Sequence, residues 1–194
     1  AWAWTEFRHD GYGRFRSLEG AWRLDTVFSY PGGELPIQAL RTAREGKALW
    51  LLAGIHGEEA VGVEIVYRFL TTFDLNGLGG RLLVLPVANP LSYASISRVT
   101  PIDGGNLNRV FPGNPDGLLT EQLAHKMTEG FLRKIDYYVD MHAGGAYPTV
   151  DYVYILNAED LSRAFGSRLL YRAKETLAGT SVSVTRELNI PSVV

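Results

Sequence analysis

Two histidines and a glutamate carry the most specific chemistry in this chain. His56 and Glu59 fall in Gly54-Ile55-His56-Gly57-Glu58-Glu59, directly after the apolar run Ala48-Leu49-Trp50-Leu51-Leu52-Ala53. His142 ends a second, largely apolar run, Ile135 to Met141, and Gly144-Gly145 follows it. Short apolar runs bounded by glycine read as buried strands, and Ala60, Val63, Val66, Tyr67 and Leu70 are spaced as one face of a helix that begins right after Glu59. Open α/β sheets bind ligands at the carboxyl ends of their strands. An imidazole and a carboxylate at one strand end, and an imidazole at another, can therefore converge on one metal ion. Two His and one Glu with an open fourth position is a catalytic zinc set, although Co, Ni or Mn also accept such ligands.

A second cluster lies between Leu91 and Pro115, where periodicity is weak and Gly, Pro, Asn and Ser abound. A loop of that length inside a compact domain is usually functional. It contains Arg98 and the run Gly104-Gly105-Asn106-Leu107-Asn108-Arg109-Val110-Phe111-Pro112-Gly113. Arginine forks bind carboxylates in bidentate fashion and asparagine adds a donor, so the cluster suits a substrate with a carboxylate beside a hydrolysable carbonyl. Other polar residues have plainer readings. Glu58 is an acid in a first helical turn, favoured by the helix dipole. His125 reads as a surface residue and His9 as a residue without a role. Tyr137, Tyr138, Tyr152 and Tyr154 fit strands, where packing outranks a substrate contact.

The elements that must position these groups follow from the rest of the pattern. Trp22 to Tyr30 reads as a strand, Pro31-Gly32-Gly33 as a turn, and Leu35 to Leu40 as the antiparallel return. Asn76-Gly77-Leu78-Gly79-Gly80 reads as a loop, and Arg81 to Val87 as a buried strand ended by Asn89-Pro90. Thr120 is a candidate cap for a helix bearing Leu123, Met127, Phe131 and Leu132. Tyr152 to Leu156 reads as a strand, and Asn157 as the cap of a helix bearing Leu161, Phe165, Leu169 and Leu170. Ser181 to Thr185 reads as a short strand, and Pro191 to Val194 opens another. Strands alternating with helices give an α/β three-layer sandwich with a mixed, largely parallel sheet and an antiparallel edge. Residues 1–194 are expected to form a single catalytic domain. Because the chain stops at Val194 within a core strand, it is expected to be truncated at its C-terminus, and because it lacks an initiator Met it is expected to be processed or a fragment.

Composition narrows the class. The 194 residues are 46% hydrophobic and 21% charged, ordinary for a globular domain, with a net charge of -2. Without a basic run, nucleic acid and anionic membrane surfaces are not expected partners. Cysteine is absent, which excludes disulfides and thiolate metal sites. No apolar run approaches the roughly 20 residues of a membrane span, and the N-terminus lacks the pattern of a signal peptide, so a cytoplasmic location is expected. Nothing in the sequence fixes an oligomeric state.

In order along the chain, Gly54-Ile55-His56-Gly57-Glu58-Glu59, Val87-Ala88-Asn89-Pro90, Asn106 to Gly113 and Asp140-Met141-His142 resemble the succinylglutamate desuccinylase/aspartoacylase family of zinc hydrolases, relatives of the zinc carboxypeptidases. The resemblance runs from about Ala48 to Val194. It implies a carboxypeptidase-like sandwich and one Zn2+ per chain, held by His56, Glu59 and His142. It further implies that Asn108 and Arg109 hold the substrate carboxylate and that Arg98 polarises the scissile carbonyl. The chain carries Ala143 where the family usually has a Thr or Ser-like residue. The family's general base is a glutamate just after a segment like Asn189 to Val194, where this chain ends; Glu187 lies before that segment and substitutes poorly, so no base is named. The implied reaction is zinc-dependent hydrolysis of an amide next to a carboxylate, most like deacylation of an N-acyl amino acid. The alternatives are a zinc carboxypeptidase or murein peptide amidase, and a metal-binding domain without catalysis.

Overall fold

The structure, a computed structural model, describes residues 22–30, 33–42, 45–73, 78–148, 150–172 and 174–194. His9, Pro31 and Gly32 of the expected turn, and Asn76 and Gly77 of the expected loop lie outside the described residues. In chain order the elements are β1 (Trp22–Tyr30), β2 (Gly33–Thr42), β3 (Ala48–Ala53), α1 (Ala60–Thr72), β4 (Arg81–Leu85), α2 (Pro90–Ala94), α3 (Leu119–Gly130), β5 (Tyr137–Met141), β6 (Tyr152–Ile155), α4 (Glu159–Ala164), β7 (Leu169–Arg172), α5 (Ser181–Glu187) and β8 (Ser192–Val193). The strands form one sheet in the order β1-β2-β4-β3-β5-β8-β6-β7. β3 runs parallel to β4 and β5, β5 to β8, and β6 to β7. The pairings β1/β2, β2/β4 and β6/β8 are antiparallel. This is the expected mixed α/β sheet with an antiparallel edge.

Alternation along β3 builds the layers. Trp50 and Leu52 point to one face, where Leu123, Ala124 and Met127 of α3 and Val182 and Val184 of α5 cover them. Leu49 and Leu51 point to the other, where α1 lays Val63, Val66 and Leu70 against Leu82 and Val84 of β4. A strand buried on both faces must be apolar throughout, which is why β3 was recognisable as a continuous apolar run. Each fully buried side chain of this size contributes about 1.5–3 kcal/mol.

Several boundaries differ from the sequence reading, each for a local reason. Ser181 to Thr185 is not a strand but the helix α5. The alternation of Val182 and Val184 imitates a strand, while Thr180 supplies the helix start by accepting the Ser183 N–H at 3.2 Å. Leu169 and Leu170 belong to β7 rather than to the preceding helix. That helix ends at Ala164, and Gly166 turns the chain at a φ of 70°. Asn157 caps nothing: its side chain donates to the Ile190 carbonyl at 2.8 Å and accepts from the Ser192 N–H at 2.9 Å, pinning β8. Thr120 lies inside α3, whose first turn is capped from a distance by Asp103. Phe131 and Leu132 lie just past that helix yet still pack into the core. β4 stops at Leu85, before Pro86, which has no N–H to donate. Among the described residues no helix is long and apolar enough to cross a membrane.

Candidate metal centre

Parallel pairing of β3 and β5 places Ala53 beside Met141, so the segments leaving both strands emerge together. Gly54 makes the exit turn after β3 at a φ of 66°, a conformation that favours glycine. Gly57 is required for closeness instead. Its N–H donates to the Ser97 carbonyl at 2.8 Å, and a Cβ there would meet the Ser92 carbonyl carbon at 2.0 Å. The loop after α2 is thereby held against the strand end, and Glu59 becomes the last residue before α1.

The three expected ligands converge. One ligand atom from each of His56, Glu59 and His142 lies within 4.8 Å of the others. Glu59, 4% exposed, stands between the imidazoles: His56 Nδ1 is 2.7 Å from Oε1, and His142 Nδ1 is 2.7 Å from Oε2. Each ring turns its other nitrogen to an oxygen. His56 Nε2 faces Asn106 Oδ1 at 3.1 Å, and His142 Nε2 faces Asp140 Oδ2 at 3.3 Å. With a cation held on the Nδ1 side, the acceptor beyond each Nε2 would take the ring proton's hydrogen bond. Both Nδ1 lone pairs then point at a carboxylate, an arrangement that needs positive charge between them. A divalent cation satisfies it, and the donor set fits zinc with a position left open.

The electrostatics agree. Burial opposes ionisation of Glu59, yet hydrogen bonds and charge from His142 and His56 hold its carboxyl well below the usual carboxylate range. Burial also opposes charge on His142, but Asp140, with Glu59, pushes its pKa up to about 10. The Ala143 N–H donates to Glu59 Oε2 at 3.2 Å. The backbone thus supplies a donor to the ligand carboxylate at the position where the family usually carries a hydroxyl.

The expected substrate residues border the same space. A cavity of about 570 Å3 is lined by His56, Glu59, His142, Arg98, Asn108 and Arg109 among others. Arg98 is half-exposed, its Nη1 lying 3.2 Å from Glu59 Oε1 and 3.4 Å from Glu58 Oε1. Glu58, expected in a first helical turn, instead lies before α1, whose first turn carries no acid, and holds Arg98 at the cavity. Asn108 is buried; its Oδ1 accepts from the Ser181 N–H at 3.0 Å, leaving the amide nitrogen 3.4 Å from His142 Nε2. Arg109 is exposed and donates to the Asn108 carbonyl.

Asn106, expected only as part of the loop cluster, stands against His56. Ser181 escaped sequence reasoning and enters the site only through contacts between distant parts of the chain. Tyr138 is a core residue as expected, whereas Tyr152 and Tyr154 line the cavity wall. Glu175 also lines the cavity. Glu187 is exposed at the end of α5.

The sequence profile of the succinylglutamate desuccinylase/aspartoacylase catalytic domain matches residues 45–190. The chain is 33% identical over 111 residues to the N-alpha-acetyl-L-2,4-diaminobutyric acid deacetylase of Halomonas elongata, covering 57% of this chain and 32% of that protein. An aspartoacylase family protein of Mesorhizobium loti has a similar structure, with a TM-score of 0.73, 26% identity, and coverage of 89% of this chain and 63% of its own. The product-bound ectoine utilization protein EutE (DoeB) of Ruegeria pomeroyi superposes with a TM-score of 0.71 at 25% identity, covering 83% of this chain and 53% of its own. The chain thus spans about a third of the curated relative's length and between 53% and 63% of these structures.

Proposed function

This chain belongs to the succinylglutamate desuccinylase/aspartoacylase family, and from that premise we propose that it is the core of a zinc-dependent amide hydrolase acting on N-acyl amino acids. The observation that carries the proposal is the pair of inward-facing Nδ1 atoms flanking the Glu59 carboxylate at the mouth of a cavity that also holds Arg98, Asn108 and Arg109. His56, Glu59 and His142 hold the metal, which when bound activates water and polarises a carbonyl as a Lewis acid. Arg98 places positive charge where the carbonyl oxygen becomes anionic, the kind of preorganised interaction that is strongest in the transition state. Asn108, its amide fixed by Ser181, and Arg109 bind the substrate carboxylate and so orient the scissile bond. The cavity size suits a small acylated amino acid. The relative from Halomonas elongata, named as a deacetylase of an N-acetylated amino acid, supports that substrate class.

The test is a parallel assay on the zinc-loaded protein in its natural full length. N-acetyl and N-succinyl amino acids are compared with short peptides and muropeptides, scoring the free amine released. Turnover of the acyl amino acids alone is expected. Turnover of peptides alone would assign a carboxypeptidase or peptide amidase, and stoichiometric zinc with no turnover of either would assign a non-catalytic metal-binding domain.

A further inference from the structure

One buried residue reaches both halves of the site. Ser181, 0% exposed, begins α5. Its hydroxyl donates to Asp140 Oδ2 at 2.7 Å, and the same oxygen lies 3.3 Å from His142 Nε2. Its backbone N–H donates to Asn108 Oδ1 at 3.0 Å. Asp140 is itself 1% exposed, and its other oxygen, Oδ1, has no hydrogen-bond partner among the described residues. A buried carboxylate with so few donors depends heavily on each one it has. The amide of Asn108 is fixed in the same way. With Oδ1 engaged by Ser181, its NH2 group is the part left to face His142 and the cavity.

From this geometry we infer that Ser181 is a positioning residue that holds the metal ligand His142 through Asp140 with its hydroxyl, and the substrate-binding amide of Asn108 with its N–H. The inference rests on the zinc reading above. Ser181 touches neither metal nor substrate. It sets the orientation of groups that do, and partners behind a ligand histidine commonly govern metal affinity. Because one residue spans the two, disturbance of α5 reaches the metal and the substrate anchor together.

The hydroxyl can be removed without touching the N–H. Zinc affinity is measured by chelator competition near neutral pH for the parent chain and for Ser181→Ala, Ser181→Cys and Ser181→Thr, alongside thermal unfolding of each zinc-free protein. Ser181→Ala is expected to bind zinc about 10–100-fold more weakly. Ser181→Thr, which keeps a hydroxyl, is expected to return toward the parent. Ser181→Cys introduces the only thiol in the chain, keeps the volume and offers a weak donor. It is expected to fall between Ala and the parent, and it decides the matter if Ser181→Ala does not fold. A merely structural role would lower the zinc-free unfolding temperature and leave zinc affinity unchanged. A folded Ala or Cys variant with parental zinc affinity, in a parent that binds zinc tightly, overturns the inference alone. A parent that binds no zinc overturns the zinc reading and the inference with it.

Discussion

Asn106 reaches His56 from a loop 50 residues further along the chain, and Ser181 reaches Asp140 across 41. The candidate ligands were legible without the fold because they follow the ends of two apolar strands, and because His56 and Glu59 are spaced so that both leave one strand end together. Their supporting contacts were not legible, although Asn106 itself lay in the expected loop cluster. A hydrogen bond to the far nitrogen of an imidazole leaves no local pattern in the chain. Asn106 Oδ1 lies 3.1 Å from His56 Nε2 and accepts from the Asn108 N–H at 2.9 Å, so it orders both a candidate ligand and the loop of Asn108 and Arg109. Asn106→Ala should therefore weaken zinc binding about 10–100-fold by chelator competition. Arg98 should behave differently. It is half-exposed and its ion pairs are long, so Arg98→Ala should shift stability by no more than about 0.5 kcal/mol in denaturant unfolding. If it stabilises the developing oxyanion, the same variant should lower kcat by about 100–1000-fold at unchanged zinc content. A loss confined to KM would instead make Arg98 a substrate anchor.

At the scale of elements, the long loop is anchored to a helix start. The Asp103 carboxylate accepts from the Thr120 N–H at 2.7 Å, the Thr120 hydroxyl at 2.6 Å and the Gly105 N–H at 2.9 Å. It caps α3 from outside that helix and fixes the turn before Asn106. Asp103→Ala should cost about 1–2 kcal/mol, which for a chain of this size lowers Tm by about 2–4 °C per kcal/mol. Burial works against the charged carboxyl, but the Thr120 and Gly105 bonds outweigh it and lower the pKa below its ordinary value of 3.8. A lowered pKa means the stabilisation is present above 3.8 and is lost as pH falls through the folded value. The Tm gap between parent and Asp103→Ala should therefore close in acid, and a gap independent of pH would contradict the charged cap. The sequence showed a long functional loop but not its anchor, since Asp103 and Thr120 are 17 residues apart. Strand positions were legible wherever burial on both faces demanded continuous apolar runs, as in β3. Helix boundaries were harder. In α5 a period-two alternation of β-branched residues outweighed, on reading, a Thr cap worth only about 1 kcal/mol.

Over the whole molecule, the net charge of -2 contrasts with the two arginines at the cavity. The contrast is local: Glu59, Asp140 and Glu175 line the same cavity and Arg98 is paired with Glu58 and Glu59, so the exposed Arg109 is the charge best placed to meet a substrate carboxylate. If Arg109 holds that carboxylate, added salt should raise KM for an N-acyl amino acid while leaving kcat little changed, because interactions between exposed charges are screened by salt. Sheet order brings β3 and β5 side by side although more than eighty residues separate their ends, and that adjacency assembles the ligand set. It was inferable from the sequence only as a convergence of strand ends, because strand order is decided by packing across the sheet. Whether the assembled set is a zinc site is the central claim. The most direct measurement is metal content by elemental analysis of the purified chain after zinc loading and desalting, beside His142→Ala. About one zinc per parent chain and none retained by the variant is the expected result. Equal zinc in both, or none in the parent, would contradict the account.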